Sequence, residues 1–131
     1  MNENGMKILI VDDSLLDRKL LCKTLQNLGV KNEVLQADHG EAALGVIARN
    51  LNGISLMFCD YQMPNMSGLE LMEGLLKVPD TSRIPIVMVT ASSAEESRKA
   101  AYAVNPALAG YVIKPYKPDE VLAVIKPYVR L

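Results

Sequence analysis

The sequence predicts an α/β domain built on a doubly wound parallel sheet with helices on both faces. Along its 131 residues, five short apolar runs alternate with segments that have the features of helices. Runs such as PIVMVTA (85–91) are apolar without alternation, as expected for strands covered on both faces. The short connections imply right-handed crossovers, and ligands of such sheets bind at the carboxyl ends of the strands.

The first predicted βα unit starts with the strand KILIVD (7–12). Ser14 is suited to cap a helix that runs from Leu15 to about Leu28, and Gly29 is suited to end that helix. Leucines recur along this segment at helical spacing, which supports the assignment. They are Leu16, Leu20, Leu21, Leu25 and Leu28.

The second unit and the third strand follow. NEVLQA (32–37) is predicted to be a strand, and Asp38 is predicted to cap a short helix that extends through Ile47. His39, the only histidine, falls in this loop and is expected at the surface or at the cap. ISLMFCD (54–60) is the third predicted strand, and it ends in an acid.

Cap residues and prolines define the third and fourth helices. Ser67 or Gly68 is expected to open the third helix, and Pro79 is expected to stop it. PIVMVTA then forms the fourth strand. Ser93 and Glu96 have the spacing of a capping box for the fourth helix.

Prolines also shape the last unit. GYVIK (110–114) is the fifth predicted strand, and Pro118 is expected in the first turn of the last helix. Pro127 should end that helix, and Asn105-Pro106 should end the fourth helix early.

Composition excludes several classes of function. Half of the residues are hydrophobic and 22% are charged, which is typical of a globular domain, and a net charge of −1 gives no basic surface for nucleic acid. No apolar run approaches the roughly 20 residues of a membrane span, and the N-terminal MNENGMK lacks the pattern of a signal peptide. Cys22 and Cys59 lack metal-ligand spacing and are expected to be small buried hydrophobes in a cytoplasmic protein.

Polar residues stand at the carboxyl ends of four predicted strands. Asp12 and Asp13 end the first strand and Asp60 ends the third. Thr90 and Lys114 end the fourth and fifth strands. Each residue alone is compatible with a cap or a solvated strand end. Because all four ends lie at one edge of a parallel sheet, their coincidence favours a functional site.

Clustered carboxylates repel one another, and a hard divalent cation such as Mg²⁺ relieves that repulsion through oxygen ligands. A carboxylate beside such a cation can attack a phosphoryl group and form an acyl phosphate. A lysine and a hydroxyl would stabilise the charge on the transferred phosphoryl oxygens. These residue types therefore favour phosphoryl chemistry.

The chain resembles the receiver domains of two-component response regulators, including stand-alone chemotaxis and sporulation types. Four segments support this resemblance, in the order found in the family: VDDS (11–14), CDYQMPNMSG (59–68), VTA (89–91) and YVIKP (111–115). The resemblance covers about residues 7–125. It implies a flavodoxin-like sheet with strand order 2-1-3-4-5 and a single receiver domain over residues 1–131.

The resemblance also implies roles for individual residues. Asp60 is the expected phosphoacceptor. Asp13 is expected to bind Mg²⁺ directly and Asp12 through water, with the main-chain carbonyl of Gln62 as a further ligand. Lys114 is expected to pair with the phosphoryl oxygens.

Thr90 is expected to bind the phosphoryl group, and Tyr111 is the expected switch aromatic that moves inward when Thr90 moves. The Lys114-Pro115 peptide is expected to be cis. The expected phosphodonor is a histidine kinase or a histidine phosphotransfer protein, and phosphorylation is read by a downstream effector protein. The fourth helix, fifth strand and fifth helix form the expected output face, which is also the candidate face for a dimer, although the sequence does not give the oligomeric state. Pro106 and Pro127 both fall on this face.

Two other functions use related features. A Mg²⁺-dependent phosphohydrolase of the haloacid-dehalogenase kind also forms an aspartyl phosphate, but it needs a second acid where this chain has Gln62. A flavin or nucleotide binder needs a glycine-rich loop after the first strand, where this chain has DDSLLD (12–17). Few residues follow Ile125, so no attached DNA-binding or enzymatic output domain is expected.

Overall fold

The computed structural model describes residues 6–131. Residues 1–5, which belong to the segment in which no signal peptide is expected, lie outside the described residues. Within the described part, five strands and five α-helices alternate, followed by one 3₁₀ turn. They are β1 (Lys7–Val11), α1 (Leu15–Asn27), β2 (Val34–Ala37), α2 (Gly40–Ala48), β3 (Ile54–Cys59), α3 (Gly68–Leu76), β4 (Ile86–Thr90), α4 (Glu95–Val104), β5 (Gly110–Ile113), α5 (Pro118–Ile125) and the 3₁₀ turn Lys126–Tyr128.

The predicted fold is confirmed. The strands form one parallel sheet in the order β2-β1-β3-β4-β5, so β1 and β3 are neighbours at its centre. Every residue of β3 and β4 is buried, because helices cover both faces of the sheet. Side chains that alternate along the strands fill two apolar cores, one on each face, within the described residues.

The predicted strands begin and end within about two residues of the observed ones. Asp12, Asp60 and Lys114 each lie one residue beyond a strand, and Thr90 is the last residue of β4. β2 starts later than predicted, because Asn32 has another role. Its side-chain amide donates to the Met6 carbonyl, and its Oδ1 accepts from the Arg130 backbone N–H.

Helix α1 has the predicted Ser14 cap, whose side chain accepts a hydrogen bond from the Asp17 backbone N–H. Gly29 follows the helix with a φ of 88°, which is a left-handed conformation that glycine adopts without steric cost. The leucines divide between two faces. Leu21 and Leu25 are buried, whereas Leu16 is 77% exposed and Leu20 is 56% exposed.

Two predicted helix caps are wrong. His39, not Asp38, is the N-cap residue of α2, and its side chain makes no capping hydrogen bond. The Asp38 carboxylate contacts the His39 ring at the surface instead. The predicted Ser93–Glu96 capping box is absent from α4, whose N-cap is Ala94. The Ser92 hydroxyl accepts from the Ala94 backbone N–H and contacts the Ser97 hydroxyl, and α4 begins at Glu95, one residue later than a Ser93 cap would place it.

The other helix ends agree with the prolines and caps in the sequence. Ser67 opens α3 in a reciprocal capping box with Glu70. Helix α4 ends at Val104, as the Asn105-Pro106 pair predicts, and α5 passes at Ile125 into the 3₁₀ turn that contains Pro127. Asn105 is only 5% exposed, and its Oδ1 accepts from the Ala107 backbone N–H.

Among residues 6–131, no helix combines the length and the apolar character needed to cross a bilayer. Both cysteines are free thiols; Cys59 is buried and Cys22 is half-buried.

Candidate functional site

Three carboxylates meet at the carboxyl edge of the sheet. Asp12 and Asp13 follow β1, and Asp60 follows β3, the neighbouring strand. One oxygen of each carboxylate lies within 4.8 Å of the others. Asp12 and Asp60 are buried, whereas Asp13 is exposed, so the cluster opens to solvent on one side.

The Lys114 ammonium lies among these acids. Its Nζ is 2.7 Å from Asp12 Oδ2 and 3.6 Å from Asp60 Oδ2. A further carboxylate, that of Asp17 in α1, lies 2.8 Å from the same nitrogen. Burial alone would lower the pKa of Lys114, but hydrogen bonds to Asp12 and Asp17 and the charge of Asp60 outweigh it and raise that pKa above its usual range. Lys114 is therefore a permanent cation.

Among the acids of residues 6–131, Asp60 has the carboxyl group whose pKa is raised most clearly. Burial raises its pKa to about 6, and the negative charge of Asp12 adds to the rise. The Lys114 charge and a hydrogen bond from the Gln62 backbone N–H oppose the rise but do not cancel it. At neutral pH Asp60 is therefore ionised in an environment that disfavours its charge.

Local backbone contacts fix the acids in place. The Asp60 backbone N–H donates to the Val11 carbonyl, and the Asp12 backbone N–H donates to the Ala37 carbonyl. Asp12 Oδ1 accepts from the Ser14 backbone N–H at 2.9 Å. The loop after Asp60 closes tightly, because an added Cβ at Gly68 would lie 2.0 Å from the Asp60 carbonyl oxygen.

Thr90 is the last residue of β4, and Tyr111 is the second residue of the neighbouring strand β5. Thr90 is 1% exposed, and its hydroxyl accepts from the Ser92 backbone N–H at 3.1 Å. Tyr111 is half-buried and its hydroxyl donates to the Ser92 carbonyl at 3.2 Å. The Arg98 guanidinium of α4 lies 5.9 Å from the centre of the Tyr111 ring and 5.7 Å from that of Tyr102.

The Lys114-Pro115 peptide is cis, as predicted.

A groove beside the acids is lined by Asp17, Leu20, Lys114 and the exposed Ala91. Cys59 points into the core on the far side of its strand, and burial, followed by the charges of Asp60 and Asp12, raises the pKa of its thiol.

Asp17 is the site residue that the sequence analysis missed. It lies in the first turn of a helix and not at a strand end, so a search of strand ends passes over it. The signal that identifies it is the segment DDSLLD (12–17), which places a third acid one turn into the helix that follows the acid pair.

The donor set fits a hard divalent cation. Three carboxylates within reach of one point supply oxygen ligands, and the pKa of one of them, Asp60, is raised by burial and then by the charge of Asp12. Asp13 is exposed, which leaves room for water in the coordination shell.

The chain is similar to known proteins in sequence and in fold. The family model for the response regulator receiver domain matches residues 8–126. Two curated relatives are the chemotaxis protein CheY homolog of Campylobacter jejuni and chemotaxis protein CheY1 of Helicobacter pylori. The first is 33% identical over 114 residues, covering 87% of this chain and 85% of the relative. The second is 32% identical, covering 87% and 89%.

Solved structures of similar chains have the same fold. Chemotaxis protein CheY4 of Vibrio cholerae superposes with a TM-score of 0.80 at 29% identity, covering 94% of this chain and 98% of that one. A putative response regulator from Chloroflexus aurantiacus superposes with a TM-score of 0.83 at 30% identity, covering 95% and 97%.

Proposed function

Because the chain belongs to the family of response regulator receiver domains, we propose that it is a phosphorylation-activated signalling domain whose phosphoacceptor is Asp60. One observation supports this assignment above the others. The ionised Asp60 carboxylate lies beside two further acids and a permanent cation, at the open edge of the sheet. This arrangement suits a nucleophile that receives a charged group.

In the proposed reaction, an Asp60 carboxylate oxygen attacks the phosphorus of the donor and forms an acyl phosphate. For a phosphohistidine donor, the P–N bond breaks and its electron pair leaves on the imidazole nitrogen. For acetyl phosphate, the P–O bond breaks and acetate leaves. Because the pKa of Asp60 is about 6, the nucleophile is already ionised at neutral pH and no base is needed.

The residues around Asp60 have complementary roles in this proposal. Lys114 donates to a phosphoryl oxygen, and the Thr90 hydroxyl donates to another once the phosphoryl group is present. Asp12, Asp13, Asp60 and the Gln62 carbonyl would hold Mg²⁺. When bound, the cation supplies positive charge that offsets the acids and the phosphoryl oxygens.

The switch in this proposal follows from charge. Phosphorylation adds roughly −1.5 to −2 charges at Asp60. Thr90 turns its hydroxyl toward the new oxygens and gives up its bond from the Ser92 backbone N–H. Tyr111 then leaves its bond to the Ser92 carbonyl and fills the space beside Thr90, which changes the surface of α4, β5 and α5.

The proposed partners are a histidine kinase or histidine phosphotransfer protein as donor and an effector protein as reader, in the cytoplasm. The α4-β5-α5 face is the proposed reading surface, and a dimer through this face is included in the proposal. Pro106 and Pro127 give it an early end to α4 and a short α5, so its partner is expected to be specific to this shape. We take residues 1–131 as one receiver domain with a core of about 7–125.

The experiment that tests Asp60 is phosphorylation with acetyl phosphate and Mg²⁺, read by intact mass and by the chemistry of the product. We expect one added phosphoryl group that is stable in acid and labile in base. No phosphoryl group should be added when a chelator is present before the donor. Asp60→Asn should remove the label, whereas Asp80→Asn, a change of an exposed acid between α3 and β4, should leave it unchanged. Label that persists in Asp60→Asn would overturn the proposal.

A further inference from the structure

The Lys114 ammonium has three N–H donors, and in the unphosphorylated domain two of them are engaged by acids other than Asp60. Asp12 Oδ2 accepts one at 2.7 Å and Asp17 Oδ2 accepts another at 2.8 Å. The Asp60 oxygen, at 3.6 Å, is beyond hydrogen-bond distance. The third donor is not engaged by these acids, but the ammonium would have to move toward a phosphoryl group on Asp60 against the two contacts that hold it.

Asp17 does not make the capping hydrogen bond that is usual for an acid at its position in the helix. It occupies the third position of α1, where an acid usually bonds back to the N–H of the cap residue. Here the Ser14 backbone N–H donates to Asp12 Oδ1 instead. The Asp17 carboxylate reaches across to Lys114, which is 97 residues away in sequence.

The two acids that hold Lys114 differ in the cost of releasing it. The Asp12 side chain is 7% exposed, so leaving its carboxylate without a partner is expensive. The Asp17 side chain is 41% exposed and lines the groove beside Ala91, where water can replace the ammonium. Asp17 is therefore the partner that gives way most easily.

Resting on the proposed function, we propose that Asp17 is a positioning residue that competes with an incoming phosphoryl group for the Lys114 ammonium. It also adds a fourth negative charge to a site that receives an anion. Both effects lower the affinity of the unphosphorylated site for phosphoryl groups. The resting domain thereby takes up phosphoryl groups from small donors less readily than its three other acids and lysine would allow.

The test measures the equilibrium binding of beryllium trifluoride, a non-covalent mimic of the phosphoryl group, in the presence of Mg²⁺ by ¹⁹F NMR. Asp17→Asn and Asp17→Ala should bind it about two- to fivefold more tightly, the range expected for a half-exposed ion pair. Asp17→Glu, which keeps the charge, should remain close to the wild type. The matched control is Asp119→Asn, which removes an exposed acid from the first turn of α5.

Phosphorylation by acetyl phosphate provides a second reading of the same variants. The donor concentration at half-saturation should fall by about two- to fivefold in Asp17→Asn, and the rate at saturating donor should change little. Equal or weaker binding of beryllium trifluoride in both Asp17→Asn and Asp17→Ala would overturn the proposal, because Asp17 would then support the site instead of competing for it.

A third measurement does not depend on phosphorylation. The ¹⁵N–¹H signal of the Lys114 ammonium, identified by its absence in Lys114→Arg, should shift and lose protection from exchange in Asp17→Ala but not in Asp119→Asn. An unchanged signal would refute the contact and with it the proposal. A wild type that binds no phosphoryl mimic, together with a shifted signal, would instead count against the proposed function.

Discussion

The charge of Asp60 should destabilise the metal-free protein at neutral pH, and the Asp60→Asn variant should therefore have a higher free energy of unfolding. The pKa of Asp60 in the folded protein is about 6, against 3.8 for the unperturbed group, and burial is the main cause. Between these values the folded state binds more protons than the unfolded state, so the free energy of unfolding falls as the pH rises through this window. The difference corresponds to about 3 kcal/mol once Asp60 is fully ionised.

Asparagine has the size of aspartate without its charge, so the variant avoids this penalty. We expect Asp60→Asn to raise the free energy of unfolding by about 2–3 kcal/mol near pH 7.5 and by only about 1 kcal/mol near pH 4.5. The assay is urea denaturation followed by far-ultraviolet circular dichroism, with a chelator present. The denaturation midpoint should rise while the slope of the free energy against urea stays the same.

Two further observations complete this test. Asp80→Asn, which removes an exposed acid outside the cluster, should change stability by no more than about 0.5 kcal/mol at either pH. Addition of Mg²⁺ should stabilise the wild type more than Asp60→Asn, so the difference between their free energies of unfolding should become smaller. A gain of the same size at both pH values, or a variant less stable than the wild type without divalent cation, would refute the electrostatic reasoning.

Three more changes test other parts of the structure. Gly68→Ala should cost about 1–3 kcal/mol in urea denaturation and slow the labelling of Asp60 by acetyl phosphate, because a Cβ there would meet the Asp60 carbonyl; an unchanged midpoint would contradict this contact. Leu25→Ala should cost about 2–5 kcal/mol, whereas Leu16→Ala should cost less than about 0.5 kcal/mol, since only Leu25 is buried; similar losses in both would show that the faces of α1 are wrongly assigned. Tyr111→Ala should weaken effector binding by the phosphorylated domain, measured in a pull-down with and without donor, while the extent of Asp60 labelling stays near that of the wild type. Equal loss of both would contradict the division between acceptor and switch.

The strands were predictable because they are short apolar runs bounded by polar residues and because parallel strands covered on both faces need no alternation. The faces of α1 were not predictable. Its leucines are spaced so closely that several stripes are apolar, and only contact with the sheet shows that Leu21 and Leu25 face inward. The N-caps of α2 and α4 are His39 and Ala94, each one residue after the predicted cap and without a side-chain capping hydrogen bond, and local sequence does not decide a shift of one residue.

The meeting of Asp12, Asp60 and Lys114 followed from one rule, that the carboxyl ends of parallel strands share an edge. That rule concerns strand ends alone. It does not predict that Asp17, which lies in a helix, joins the site. The 2.8 Å contact between Asp17 and Lys114 joins the first turn of α1 to the residue after β5, and no single segment of the sequence contains both.

The half-buried position of the Tyr111 ring rests on weak polar contacts, a hydrogen bond to the Ser92 carbonyl and the guanidinium of Arg98 over the ring. Together they contribute on the order of 2 kcal/mol. An effector that prefers a different position of the ring by a similar amount would therefore move the ring without any chemical modification. If the ring is coupled to Asp60 as proposed, reciprocity of coupled equilibria requires that effector also to raise the affinity of the site for a phosphoryl group.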